Sequence, residues 1–232
     1  LNAEVVVKQI EKSKLHSQDE FFAEAQALHS TAHPNVVSIQ YACFDDDNIY
    51  VVMPYYRKGS LQDKMNAGFL TVRQIVRIAV QISSGLHNIH SKGLIHFDIK
   101  PNNILLSQRD EAMIADFGLA KQMNFAGRAV QDRHYGKMVP PEALFSDQLG
   151  RTFDIYQLGL TLYRMCNGNA DFYEQLAKFG TGAAFKRNDF NFDVRNGRFP
   201  DRSSFLPHIP SRLRAIISKC LSTDPGDRFQ SA

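Results

Sequence analysis

The chain has 232 residues, of which 44% are hydrophobic and 22% charged, an ordinary globular composition that excludes a disordered, collagen-like or coiled-coil chain. Its 27 Lys and Arg against 24 Asp and Glu leave a formal charge of +3, too small and too evenly spread to define a nucleic-acid or membrane surface. Cys43, Cys166 and Cys220 cannot all pair and show no metal-like spacing, so a reducing, cytoplasmic setting is expected rather than a disulfide or zinc framework. No apolar run approaches the ~18 residues needed to span a bilayer. The 14 glycines are unevenly placed, the first being Gly59.

In chain order, Glu4 to Ile10 is short and β-branched, which predicts a strand. Asp19 to His29 sets Phe21, Ala25 and Leu28 at helical spacing, and His33-Pro34 ends that helix. Val36 to Phe44 and Asn48 to Met53 read as two further strands joined by the polar turn Asp45-Asp46-Asp47-Asn48. Pro54 to Ser60 carries a strand breaker and the first glycine and reads as a connector. Beyond it, Val72, Ile75, Val76, Ala79, Ile82, Leu86 and Ile89 recur every three or four residues, an amphipathic helix of about five turns. A hairpin is expected from Ile104-Leu-Leu106 and Ala112 to Ala115, then helices over Asp154 to Cys166 and Ser211 to Leu221. The Gly- and Asn-rich stretch from Asn167 to Pro207 has no assignable period.

The chemistry concentrates in His96-Phe-Asp-Ile-Lys-Pro-Asn-Asn103 and Asp116-Phe-Gly118. Asp98, Lys100 and Asn103 form D-x-K-x-x-N, with Asp116 adding a second carboxylate around the hairpin. Phosphoryl transfer from a nucleotide needs such a set: an acceptor for a hydroxyl proton, a cation beside the moving group, and hard oxygen donors for Mg²⁺. The bland alternative, a loop of turn-forming Asp and Asn, does not account for two motifs in register.

With these motifs the chain resembles the eukaryotic-like (Hanks-type) protein kinases over residues 5–229. The resemblance implies an α+β, bilobal fold forming a single kinase domain over 1–232, with a small β-rich lobe (1–53), a hinge (54–60) and a larger helical lobe (61–232). It implies ATP and Mg²⁺ in the cleft and a protein substrate, with no nucleic-acid or membrane partner for this segment. Carried over residue by residue, Lys8 in Val5-Val-Val-Lys would hold the α/β-phosphates and Glu24 would pair with it. Asp98 would be the catalytic base, Lys100 the γ-phosphate cation, and Asn103 and Asp116 the metal ligands. Met53 falls at the gatekeeper position, Pro54 to Tyr56 at the adenine hinge, and Leu105 on the nucleotide-binding side; Ser60 either reaches the ribose or is a turn serine. Pro140-Pro141-Glu142 resembles A-P-E, and Arg228 the arginine that pairs with its glutamate. Asp154 matches the carboxylate that braces the catalytic loop, while Leu28, Ile39, His96 and Phe117 match a column of side chains joining the lobes. Small-molecule kinases share H-x-D but lack the A-P-E segment.

Four departures qualify the resemblance. Phe97 stands where the family carries an Arg before the catalytic Asp, and a guanidinium there pairs bidentately with an activation-segment phosphate as phenyl cannot. Between Ser107 and Ser146 there is no Ser or Thr, and Tyr135 is the sole hydroxyl. Both features predict activity without activation-segment Ser/Thr phosphorylation. Val6 replaces a small Ala at the adenine wall. The phosphate-covering G-x-G-x-x-G loop, where glycine lets the main chain approach closely, is absent, and fewer residues precede Lys8 than two strands and a turn require. The chain therefore reads as an N-terminally truncated kinase domain, or one lacking that loop. The alternative to an active Ser/Thr kinase is a pseudokinase that uses the fold as a scaffold.

Overall fold

A computed structural model describes residues 4–14, 32–131 and 137–232. The expected helix over Asp19 to His29, and with it Glu24 and Leu28, lies outside the described residues, as does Tyr135.

A three-stranded antiparallel sheet forms the first unit, with β1 (Val5–Glu11), β2 (Tyr41–Phe44) and β3 (Asn48–Pro54) in the order β1-β3-β2. Register places Val6 against Met53 and Lys8 against Val51, while Tyr41 pairs with Val52. The β2–β3 turn is tied by Asp45, whose carboxylate accepts from the Asp47 and Asn48 amides at 2.9 and 2.7 Å. This is the Asx turn expected of such a sequence.

The strand expected over Val36 to Phe44 is shorter than its β-branched composition suggests. Only Tyr41–Phe44 joins the sheet. The preceding residues are spent elsewhere: Val37 N–H donates to Ile114 O at 2.8 Å, Ile114 N–H to Asn35 O at 2.9 Å, and Asn35 Nδ2 to Ala112 O at 2.9 Å. Backbone groups committed to one partner cannot also extend the other ladder. This segment thereby fastens the small sheet unit to the helical body.

The body is built on two long helices. Ser60 and Thr71 cap α1 (Leu61–Ala67) and α2 (Val72–Ser91), each through a reciprocal capping box with the residue three positions on, Asp63 and Gln74. On α2 the buried stripe is Ile75, Ile78, Ile82, Leu86 and Ile89; Val76, placed by its spacing on the apolar side, is 45% exposed. Short strands follow: β4 (Leu94–Ile95), the hairpin β5 (Ile104–Leu106) and β6 (Ala112–Ile114), then β7 (Lys121–Gln122), β8 (Arg128–Val130) and β9 (Gln148–Gly150). β4 pairs with β7 and β8 with β9, so the chain after Asp116 is held against the body at two places.

The central helix α3 (Thr152–Ala177) is longer than the expected Asp154 to Cys166, and it is interrupted at Gly168. Its neighbour α5 (Ser211–Cys220) crosses so closely that a Cβ on Gly159 would lie 2.7 Å from Cys220 Cβ. The unassigned stretch Asn167 to Pro207 holds the end of α3 and α4 (Arg187–Arg195). It is organised by ring contacts among Phe172, Phe179, Phe190 and Phe199, with centroids 5.1 to 6.3 Å apart. Aromatic packing of this kind follows no local period, which is why the sequence pattern fails there. No helix among the described residues is long and apolar enough to cross a membrane.

Candidate active site

The loop from His96 to Asn103 is fixed by the first turns of α3. Asp154, fully buried, accepts from His96 N–H through Oδ2 and from Phe97 N–H through Oδ1, both at 2.8 Å, and its Oδ2 lies 2.9 Å from His90 Nε2. One turn later, Gln157 Oε1 accepts from Ile99 N–H at 2.8 Å, and its Nε2 donates to Phe97 O and Met138 O, both at 3.2 Å. Two side chains of one helix face thus hold three loop positions, His96, Phe97 and Ile99, together with the segment that follows. Asp154 was legible from its motif spacing. Gln157 and His90 were not singled out; Gln157 falls three residues after Asp154, the spacing that puts both on one face.

This bracing supports a bulky residue in a conformation it seldom adopts. Phe97 has φ 63°, and Asp116 at the other motif has φ 60°. Left-handed backbone costs a non-glycine residue about 1–3 kcal/mol and persists when its surroundings over-determine it. Phe97 is 2% exposed and packs with Ile95, Ala129, Leu149 and Phe153, its ring 5.0 Å from that of Phe153. That small apolar cluster joins the loop to β8 and β9.

Beside it, His96 is fully buried, with Nε2 3.2 Å from Ala115 O and Nδ1 accepting from Asp98 N–H at 3.2 Å. Burial holds its pKa below the ordinary value, against the opposing fields of Asp154, Asp98 and Asp116. A neutral ring carrying its proton on Nε2 fits both contacts. Phe117 lies against the imidazole with centroids 4.7 Å apart, and Ile39 is half-buried in the neighbouring segment.

Asp98 is 3% exposed. Its Oδ2 accepts from Asn103 Nδ2 at 2.6 Å and sits 2.9 Å from Lys100 Nζ, and Asn103 Nδ2 also donates to Asp98 O at 2.9 Å. Oδ1 of Asp98 is buried without a hydrogen-bond partner.

Lys8 Nζ donates to Asp116 Oδ1, joining the sheet to the loop across 108 positions of sequence. Burial pushes the Asp116 carboxyl up, but the Lys8 ammonium and the Gly118 N–H outweigh it and hold the group below its ordinary range. Both side chains remain accessible, at 39% and 45%. Met53 and Tyr56 are half-buried on the adjoining strand and connector, and burial raises the Tyr56 phenol. Leu105 bridges to Ser60. Ser60 itself is 8% exposed, with its hydroxyl donating to Asp63 Oδ2 at 2.7 Å, so its geometry is that of the cap serine. Val6 is 39% exposed.

Donor chemistry suits a magnesium–nucleotide. Asn103 turns its amide nitrogen to Asp98, leaving Oδ1 as a neutral oxygen donor, and Asp116 supplies a carboxylate. No group of three or more His, Cys, Asp or Glu with metal-binding geometry occurs among the described residues, so a cation here would share its ligands with phosphate oxygens, as Mg²⁺ prefers.

At the far side, Arg228 is 2% exposed and grips Glu142 bidentately, Nη1 to Oε1 and Nη2 to Oε2, both 2.7 Å. The pairing of A-P-E-like glutamate and late arginine, 86 positions apart, is present as the sequence implied.

The architecture joins a small sheet to a helical body through the Lys8–Asp116 ion pair. The chain belongs to the protein kinase domain family, whose model matches residues 1–232. It is 30% identical over 242 aligned residues to a probable serine/threonine-protein kinase of Clostridium perfringens, covering all of this chain and 33% of that one. It is also 29% identical to the serine/threonine-protein kinase PrkC of Bacillus subtilis, over 91% of this chain and 32% of that one. A probable LRR receptor-like serine/threonine-protein kinase of Arabidopsis thaliana is 34% identical over 71% of this chain and 18% of its own length. The chain thus spans a third or less of the length of these relatives.

Proposed function

We propose that this domain transfers the γ-phosphoryl group of ATP to serine or threonine hydroxyls of protein substrates. The observation that carries the reading is the setting of Asp98: its Oδ2 is held by Lys100 and Asn103, on a loop whose backbone is braced by Asp154 and Gln157. A carboxylate so fixed is oriented to act as the acceptor for the proton of an incoming hydroxyl. Lys100 sets a positive charge beside the same locus, and Lys8 and Asp116 line the nucleotide side. Asn103 and Asp116 would hold Mg²⁺, which when bound neutralises charge on the phosphates. Met53, Tyr56 and Leu105 would form the walls around adenine, and Ser60 would shape the rim through its cap. Kinship to serine/threonine kinases, and Lys100 two positions after Asp98, support hydroxyl acceptors of that class.

Phe97 supports a second element of the reading, that no activating phosphate is required. Its apolar packing on Phe153, Leu149 and Ala129 ties the loop to β8 and β9, the connection that a phosphate–arginine pair would otherwise make.

Incorporation of labelled phosphate from Mg·ATP into a mixed protein substrate tests the activity. Transfer abolished by Asp98→Ala and by Asp116→Ala is expected. Absence of transfer from a chain carrying its natural flanking sequence overturns the reading. Phosphatase treatment should leave the rate unchanged; a loss of activity, with mass spectrometry placing the lost phosphate within residues 119–139, would remove the second element.

A further inference from the structure

Gln157 is 1% exposed on α3, and its carboxamide lies where two chain segments meet. Oε1 accepts from Ile99 N–H at 2.8 Å, and Nε2 donates to Phe97 O and to Met138 O, both at 3.2 Å. Ile99 N–H belongs to the peptide that follows Asp98, and Phe97 O to the peptide that precedes it. One side chain therefore grips both peptide units flanking Asp98, one by accepting and the other by donating. Both amide hydrogens are spent, the second of them on Met138.

The chemistry of the group suits this position. An amide is neutral and offers an acceptor and two donors in one plane, whereas a hydroxyl has a single hydrogen to give and a carboxylate has none. A buried carboxylate would also set its charge against two carbonyl oxygens. Phe97, held at φ 63°, has its N–H on Asp154 and its O on Gln157, so the strained residue is pinned at both of its polar groups. Asp98 N–H is taken by His96 Nδ1 at 3.2 Å. Each N–H from His96 to Ile99 is thus held by a side chain. Among the described residues, Gln157 alone of those side chains also bonds to the segment leading to Pro140-Pro141-Glu142.

That segment is tethered at both ends to the start of α3. Met138, 6% exposed, is held by Gln157 directly. Glu142 is held by Arg228, which also donates from Nη1 to Thr152 O at 3.0 Å. Because Met138 O and Phe97 O share one nitrogen, the segment runs beside the loop that carries Asp98. A polypeptide that brings a hydroxyl to Asp98 has to lie against it.

We propose that Gln157 is a positioning residue for phosphate transfer: it sets the main chain of Asp98 and couples it to the segment around Met138, so that the base and the surface that receives the substrate polypeptide are held as one unit. The proposal rests on the kinase reading above and deepens it. Since the link is a neutral amide built into α3, it is present in the unmodified chain.

The test is steady-state transfer of labelled phosphate to a mixed protein substrate by Gln157→Met, which keeps the length of the side chain and makes none of the three bonds. The maximal rate should fall about tenfold to a hundredfold, as for a reacting group displaced by about an ångström, while KM for Mg·ATP stays within about twofold and Mg·ATP still raises the melting temperature. Hydrogen exchange read by mass spectrometry should quicken in residues 97–99 and 137–139 together. Should Gln157→Met fail to fold, Gln157→Asn, shorter by a methylene and still polar, should give the same split. A maximal rate within about twofold of wild type in either folded variant overturns the proposal. A loss of the Mg·ATP response in parallel with the rate also overturns it, since that is the mark of general loosening, and so does exchange that quickens in only one of the two segments. Absence of transfer by the wild-type protein removes the kinase reading alone; the joint change in exchange then still upholds the coupling through Gln157.

Discussion

The two sides of the cleft are built on different principles. On the helical side, Asp98 sits in a buried lattice in which Asp154 and Gln157 engage the backbone of His96, Phe97 and Ile99. On the sheet side, Lys8 reaches Asp116 through a single accessible ion pair, and the strand bearing it leaves Val5, Val6 and Val7 between 39% and 55% exposed. The proposed base is thus fixed by folding itself, whereas the proposed nucleotide side keeps its charged groups accessible. A pre-set base spends no binding energy on reorientation. An exposed lysine can exchange one anionic partner for another at little cost, since both are solvated.

That contrast can be broken most forcefully at Asp154. Replacing it by Ala strands two buried backbone N–H groups and His90, and should cost about 3–5 kcal/mol by urea unfolding while abolishing transfer. A loss under 1 kcal/mol would mean that the loop is not held from α3.

An intermediate effect is expected from pH through His96. Its folded pKa lies below the ordinary 6.5, so between these values the unfolded chain binds a proton that the folded chain does not. Stability should therefore fall as pH drops below about 6.5, by up to about 1.4 kcal/mol per unit, until the folded pKa is reached. The sensitivity should be smaller in a His96→Asn variant, read from urea midpoints at a series of pH values. Equal pH slopes in the two proteins would show that the imidazole is not held neutral.

The smallest structural effect should come from Lys8→Met. Its pair is accessible on both partners, so stability should change by no more than about 1 kcal/mol, while nucleotide-dependent phosphate transfer is lost. Thermal shift with and without Mg·ATP reads both consequences, since a ligand bound only to the native state raises the melting temperature. A large destabilisation would erase the difference between the two sides.

Much of this was legible in the residues. The H-F-D-I-K-P-N-N and D-F-G motifs located the catalytic loop, and the spacings to Asp154, Glu142 and Arg228 anticipated its brace and its distant ion pair. The hairpin at Ile104 to Ala115 and the long amphipathic helix followed from period and turn chemistry. Val36 to Gln40 was misread as strand because β-branched composition does not say which partner a backbone will choose. Asn167 to Pro207 gave no signal because phenylalanines gathered from four separate positions, rather than a local repeat, hold it together.

The sequence by itself pointed to the family and to the groups proposed to carry its chemistry, because phosphoryl transfer calls for particular side chains and the segment from Asp98 to Asn103 sets three of them close together. Tertiary structure alone decided how each group is committed. It held Oδ2 of Asp98 on Asn103 and Lys100, spent the Ser60 hydroxyl on a helix cap, and buried Phe97 where an arginine would seek a phosphate. Hydrogen bonds and desolvation depend on what lies within a few ångströms in space, and sequence spacing does not encode that neighbourhood once the chain has turned back on itself.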